Sequence, residues 1–194
     1  ASIDKKSEIK VLDPMCGRAT TLLWCLRYGI NAKGIELDSK ALADVNQIVK
    51  KWSKIHKESI KTSEGFIYKK TKSNVGKFLD VKSESGSFRM ITGDSIQSSE
   101  LLRKEKFDLI ISDIPYGIQH LASKKSKNPY ATIEDSFSEW KKCLSTQGSI
   151  VIGFNSNNPK RSKLLELAEA FELVEFPFKS EHRMSESIVR DVLI

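Results

Sequence analysis

Apolar and polar positions along the first sixty residues alternate between short solid runs and spaced repeats. Ile9 to Leu12 is an apolar run that stops at Asp13-Pro14. That pattern predicts a buried strand ending in a turn. Thr20 to Tyr28 is apolar on most sides and closes at Gly29, which predicts a largely buried helix with a glycine stop signal. Ala32 to Leu37 reads as a second strand. Ser39 is positioned to cap a helix on which Leu42, Val45, Val49 and Trp52 recur at helical spacing. Strand, helix, strand, helix in this order is the opening of a doubly wound α/β fold.

The pattern breaks from about Glu58 to Ser87, where Lys, Ser, Thr and Gly dominate and apolar anchors are few. We read this as an insertion that extends the helix end and holds a small hairpin. Order resumes with strands at Phe88 to Ile91 and Phe107 to Ser112, separated by a short helix at Leu101-Leu102. A helix around Ala131 to Ser145 places Ile133, Phe137, Trp140 and Leu144 on one face, and Ser149 to Phe154 is a further strand. Asn158-Pro159 reads as a cap and first-turn proline opening a helix with Leu164, Leu165, Ala168 and Phe171 inside. Leu173 to Phe178 and Ser187 to Leu193 read as two closing strands. The expectation is therefore a seven-stranded sheet.

Four of these strands end at an acid: Asp13, Glu36, Asp94 and Asp113. In open parallel sheets the carboxyl ends of the strands line the ligand crevice, so the joint placement points to a site. The first turn, Asp13 to Thr20, contains a single glycine, Gly17. It lacks the glycine spacing of a dinucleotide or triphosphate loop. Gly17 removes a Cβ where a ligand would approach, and Ala19 is the next smallest choice. Glu36, at the end of the second strand, can accept both hydrogens of a ribose diol, and Asp94 can accept from an exocyclic adenine amine. These residues suit an adenosine whose tail carries no pyrophosphate.

The runs V-L-D-P-M-C-G-R-A-T-T, G-I-E-L-D, I-T-G-D and S-D-I-P-Y-G resemble, in order and over nearly the whole chain, the motifs of class I S-adenosylmethionine-dependent methyltransferases. The resemblance implies a Rossmann-like doubly wound seven-stranded mixed sheet with an antiparallel last strand, and S-adenosyl-L-methionine as cofactor. It implies that Asp13, Cys16, Gly17 and Ala19 lie along the methionine part. Glu36 would hold the ribose and Asp94 the adenine, with Asp38 and Ser95 flanking. Ala19 stands where the family commonly has a glycine.

Asp113-Ile114-Pro115-Tyr116 resembles the D-P-P-Y motif of amino-group methyltransferases acting on adenine N6, guanine N2 or a glutamine amide. An exocyclic amine is a poor nucleophile because its lone pair is delocalised. Asp113 and the carbonyl of Ile114 can each accept one N–H, which turns that lone pair toward the methyl donor. Pro115 stiffens the turn and Tyr116 offers a face for a swung-out base. The combined pattern most resembles the tRNA guanine-N2 methyltransferases, whose members often carry an N-terminal THUMP RNA-binding domain. That implies an upstream RNA-binding domain and a chain that is the catalytic part of a longer protein. The motif alone leaves adenine N6 and protein glutamine open, and a non-catalytic cofactor-binding partner subunit is a further alternative.

Charge adds a partner. The chain of 194 residues carries a formal +7, and the segment Lys50 to Lys82 alone holds ten lysines against three acids, which equals that whole surplus. With Lys124, Lys125 and Lys127 after the D-x-P-Y turn, this suits contact with RNA phosphates, and the resemblance implies tRNA. No run approaches the roughly 18 apolar residues of a membrane span. Cys16, Cys25 and Cys143 form no metal spacing, and free thiols suit a cytoplasmic setting.

Overall fold

The computed structural model describes residues 9–68, 74–114, 129–178 and 180–194. Its strands are β1 (Lys10–Asp13), β2 (Asn31–Glu36), β3 (Lys61–Tyr68), β4 (Asn74–Lys82), β5 (Ser87–Thr92), β6 (Phe107–Asp113), β7 (Leu144–Asn155), β8 (His182–Arg183) and β9 (Val189–Leu193). The helices are α1 (Thr20–Arg27), α2 (Ala41–His56), α3 (Ser98–Leu101), α4 (Pro129–Cys143) and α5 (Arg161–Ala170). The strands form one sheet in the order β3-β4-β5-β2-β1-β6-β7-β9-β8.

The five central strands pair in parallel. Their solid apolar runs follow from burial on both faces. Val11 faces a core shared with α1 and α2, including Leu22, Leu26, Val45 and Val49. Its neighbour Leu12 faces the opposite core, with Phe107, Phe137, Trp140 and Leu164. The mixed α/β sheet is as expected, and β9 runs antiparallel to β7 with Ile152 opposite Leu193.

The strand count is corrected from seven to nine. The Lys-rich insertion folds into the hairpin β3–β4, which extends the sheet antiparallel to β5. Leu173 to Phe178 is not a strand: Val174 is 92% exposed, and the Phe176 N–H donates to the Ile194 carbonyl at 2.8 Å beside β9. The two-residue β8 pairs with β9 instead. Two caps also move. Helix α2 starts after Lys40 with no side-chain cap, and Asp38 Oδ1 accepts the Lys40 N–H at 2.9 Å where Ser39 was expected to act. Helix α5 starts after Lys160, beyond a cis Asn158-Pro159 bond, so Asn158 is not its cap.

The hairpin divides the basic segment. Because β4 is antiparallel to β5, Lys82 sits opposite Ser87 while Phe78 sits opposite Ile91. Tyr68 and Asn74 therefore lie at the sheet end that carries Glu36 and Thr92, whereas Lys61 and Lys82 lie at the other. Lys69, Lys70, Lys72, Lys124, Lys125 and Lys127 fall outside the described residues. No helix of the described residues is long and apolar enough to cross a membrane.

Candidate active site

Strands β1, β2, β5 and β6 deliver Asp13, Glu36, Asp94 and Asp113 to one end of the sheet. Asp13 is 3% exposed, and its Oδ1 accepts the Met15 N–H at 3.2 Å. Burial pushes its carboxyl up to about 7, with the charges of Asp113 and Glu36 adding to the rise. Hydrogen bonds from Thr21 and Met15 offset this only in part.

The turn after β1 is clamped to β2. The Cys16 N–H donates to the Ile35 carbonyl at 2.9 Å, and the Gly17 N–H donates to Glu36 Oε2 at 2.8 Å. The other oxygen, Oε1, accepts the Asp38 N–H at 2.8 Å. Gly17 has φ +52°, and nothing lies within 4 Å of where its Cβ would be. Cys16 is buried beneath the turn, and burial, then Asp13 and Glu36, push its thiol well above the ordinary range. It is a packing residue, held protonated, against Gly34 of β2. A Cβ on Gly34 would come 2.7 Å from the sulfur and 2.6 Å from Leu22 Cδ1. Ala19 is fully buried with φ 64°, a conformation that favours glycine.

Asp94 caps the 3-10 turn Ser95–Gln97 by accepting the Ile96 N–H at 3.1 Å. Ser95 points inward: its Oγ accepts the Nε1–H of the fully buried Trp140 at 2.7 Å. Its carbonyl accepts the Ser98 hydroxyl at 2.6 Å, so both its hydroxyl and its carbonyl serve local packing.

Asp113 ends β6. Arg190 Nη2 of β9 donates to Asp113 Oδ2 at 2.9 Å. Gly153 of β7 lies beneath the pair, and a Cβ there would sit 3.0 Å from Asp113 Oδ1. The Ile114 N–H donates to the Gly153 carbonyl at 2.8 Å and its side chain is buried. A proline at 114, as in the commoner motif, could not make that bond. Pro115 and Tyr116 lie outside the described residues.

The acids at β1, β2 and β6 are thus brought together, close enough for Asp113 and Glu36 to raise the Asp13 carboxyl. Asp94 shares their end of the sheet through the Gly93 N–H, which donates to the Glu36 carbonyl at 2.9 Å. Thr21, Gly153 and Arg190 were not read from the sequence. Arg190 lies 77 residues from Asp113 and only the β7–β9 pairing brings it near.

This arrangement fits S-adenosylmethionine. The open space over Gly17 is a cradle that any side chain would fill, and the carboxylate of Glu36 edges it. Asp13 and Gly17 could line the methionine part, with Glu36 and Asp38 at the ribose and Asp94 at the adenine, whereas Ala19 is fully buried and Cys16 and Ser95 pack inward beneath the crevice.

The fold and this crevice define a Rossmann-like methyltransferase. The family model described as "RMKL-like, methyltransferase domain" matches residues 2–181. The chain belongs to that family and is an S-adenosylmethionine-dependent methyltransferase. Solved structures share the fold at low identity. An rRNA methylase from Streptococcus thermophilus has TM-score 0.54 at 11% identity, covering 97% of this chain and 85% of that one. SMU.1697c from Streptococcus mutans, solved in complex with SAH, has TM-score 0.58 at 10% identity over 97% and 88%. TrmN from Thermus thermophilus has TM-score 0.56 at 13% identity, covering 98% of this chain but 44% of TrmN. No curated protein matches the chain significantly.

Proposed function

We propose that this enzyme methylates an exocyclic amino group of a nucleic-acid base, with guanine N2 in tRNA as the leading substrate. The observation that carries the reading is Asp113: a carboxylate at the end of β6, held by Arg190 beside the pinned backbone of Ile114. When bound, S-adenosylmethionine supplies an electrophilic methyl group. Asp113 accepts one N–H of the amine and the Ile114 carbonyl the other, so the nitrogen lone pair faces the donor. Positioning and the negative charge of Asp113 beside a nitrogen that turns cationic supply the catalysis. Tyr116 stacks the base that has left its helix. Similarity to an rRNA methylase and to TrmN supports a nucleic-acid substrate over a protein amide.

RNA, tRNA first, is the proposed partner, contacted through the Lys-rich segments 50–82 and 124–127. The enzyme acts in the cytoplasm in this reading. Labelled methyl transfer onto total tRNA, rRNA, DNA and protein, followed by nucleoside analysis, tests it. Label in N2-methylguanosine of tRNA that disappears with Asp113→Ala is the expected result. Label in N6-methyladenosine or in protein glutamine would replace the substrate. Transfer to no polymer would sink the proposal. Neutralising Lys69, Lys70 and Lys72 together weakens polynucleotide binding and leaves cofactor affinity unchanged.

A further inference from the structure

The crossover from β5 to β6 carries only a 3-10 turn and the four-residue α3. A helix that short cannot cover the sheet face beyond it, so among the described residues no helix covers the face of β3, β4, β5 and β2 on the α3 side. Two adjoining hollows of about 520 and 310 Å³ occupy it, sharing Lys33, Arg89 and Glu105. Together they form one groove along the strands.

Strand register arranges the groove in rows. At the end away from the acidic crevice, Lys61 and Lys82 face each other directly across the antiparallel pair. Like charges so placed oppose folding of the pair, and both line the groove with Lys10 nearby. Next comes Ser63–Asp80–Arg89–Lys33. Asp80 is held by Arg89 Nε at 2.5 Å, and Lys33 by Glu105. The third row is Gly65–Phe78–Ile91. The Phe78 ring lies over Gly65, where a Cβ would come 2.6 Å from Cζ, and the Arg89 guanidinium sits 4.2 Å from the ring centroid. Six cationic side chains against two carboxylates line the two hollows.

We propose that this groove binds a single-stranded segment of polynucleotide, with phosphates at the Lys61–Lys82 row and bases toward Phe78. The proposal rests on reading the substrate as a nucleic acid. An unbalanced pair of opposed lysines is a site for an anion, and a cationic groove with an aromatic face suits a single strand. The eight residues of β3 span about 26 Å, enough for roughly four nucleotides. The aromatic end adjoins Leu101 and Ile91, beside the turn that carries Asp94, so a strand in the groove is led toward the crevice.

The test uses a fluorescein-labelled oligouridine and unfractionated tRNA, with anisotropy titrations at several salt concentrations. Lys61→Gln with Lys82→Gln is expected to weaken binding about tenfold and to lower the salt slope by about 1.4, from about 0.7 per lost single-strand phosphate contact. Lys82→Glu is expected to weaken binding as well, yet to hold or raise the melting temperature, because the opposed pair becomes complementary. Cofactor affinity stays constant in both. If the wild type binds and methylates RNA while both variants bind with unchanged affinity and slope, the groove is not used and the substrate reading stands. If the wild type binds only an acidic peptide, or binds and methylates no polynucleotide, the substrate reading fails and the groove proposal with it.

Discussion

Arg190 donates to Asp113 Oδ2 at 2.9 Å, and the pair rests on the bare Cα of Gly153. One oxygen of the carboxylate is thereby fixed by β9, while the other lies over β7. Arg190 is a positioning residue in this arrangement. Arg190→Gln is expected to lower kcat at least about tenfold while cofactor affinity is unchanged, with Arg190→Lys recovering part of the loss. Gly153→Ala crowds Oδ1 and is expected to lower kcat with little change in melting temperature. Steady-state kinetics beside cofactor titration separates these outcomes.

Asp13 sets a pH dependence. Burial raises its carboxyl from 3.8 to about 7 in the folded protein. The folded state therefore binds more protons than the unfolded state between those values, and stability falls as pH rises through that window. The loss approaches about 4 kcal/mol above pH 7. Asp13→Asn is expected to flatten stability against pH between 4 and 8, measured by urea denaturation.

The same group links cofactor binding to protons. The cationic cofactor favours ionised Asp13, so affinity is expected to strengthen from pH 6 to 8 with proton release on binding. Calorimetry in buffers of different ionisation enthalpy reads that release directly; a proton-neutral binding reaction near pH 7 would contradict it.

Ala19 holds a left-handed conformation at the start of α1. Ala19→Gly relieves that strain and is expected to stabilise the fold by about 1 kcal/mol net of chain entropy. Ala19→Val should prevent the turn from closing. Thermal melts distinguish the two.

Gly34→Ala drives a methyl into Cys16 Sγ and Leu22. A cost of about 1–3 kcal/mol is expected, together with weaker cofactor binding because the turn above Cys16 must shift.

The parallel core was legible because its strands are buried on both faces, which leaves solid apolar runs such as Val11-Leu12 and Ile110-Ile111. The acids of the crevice were legible for the same reason: each ends such a run. The hairpin β3–β4 was expected within the insertion, but its bounds and its place in the sheet were not legible, because the groove face of β3 reads Lys61, Ser63, Gly65, with no apolar alternation to mark it. Leu173 to Phe178 misled in the opposite sense. Its apolar side chains suggest a strand, but Phe176 and Val174 are exposed and no ladder forms. The cluster of lysines misled by proximity in sequence, since the hairpin sends Lys61 and Lys82 to the end of the sheet away from the crevice. Arg190 carried no local signal, because its role exists only through strand pairing.

Trp140 is fully buried in α4 and bonded to Ser95, the residue after Asp94. This bond ties helix α4 to the turn that follows β5. Cofactor titration is expected to change the emission of Trp140, an optical reading that requires no label. Trp24, 52% exposed, and the half-buried Trp52, 6.3 Å from it, supply a second and more accessible signal, which iodide is expected to quench ahead of the buried Trp140.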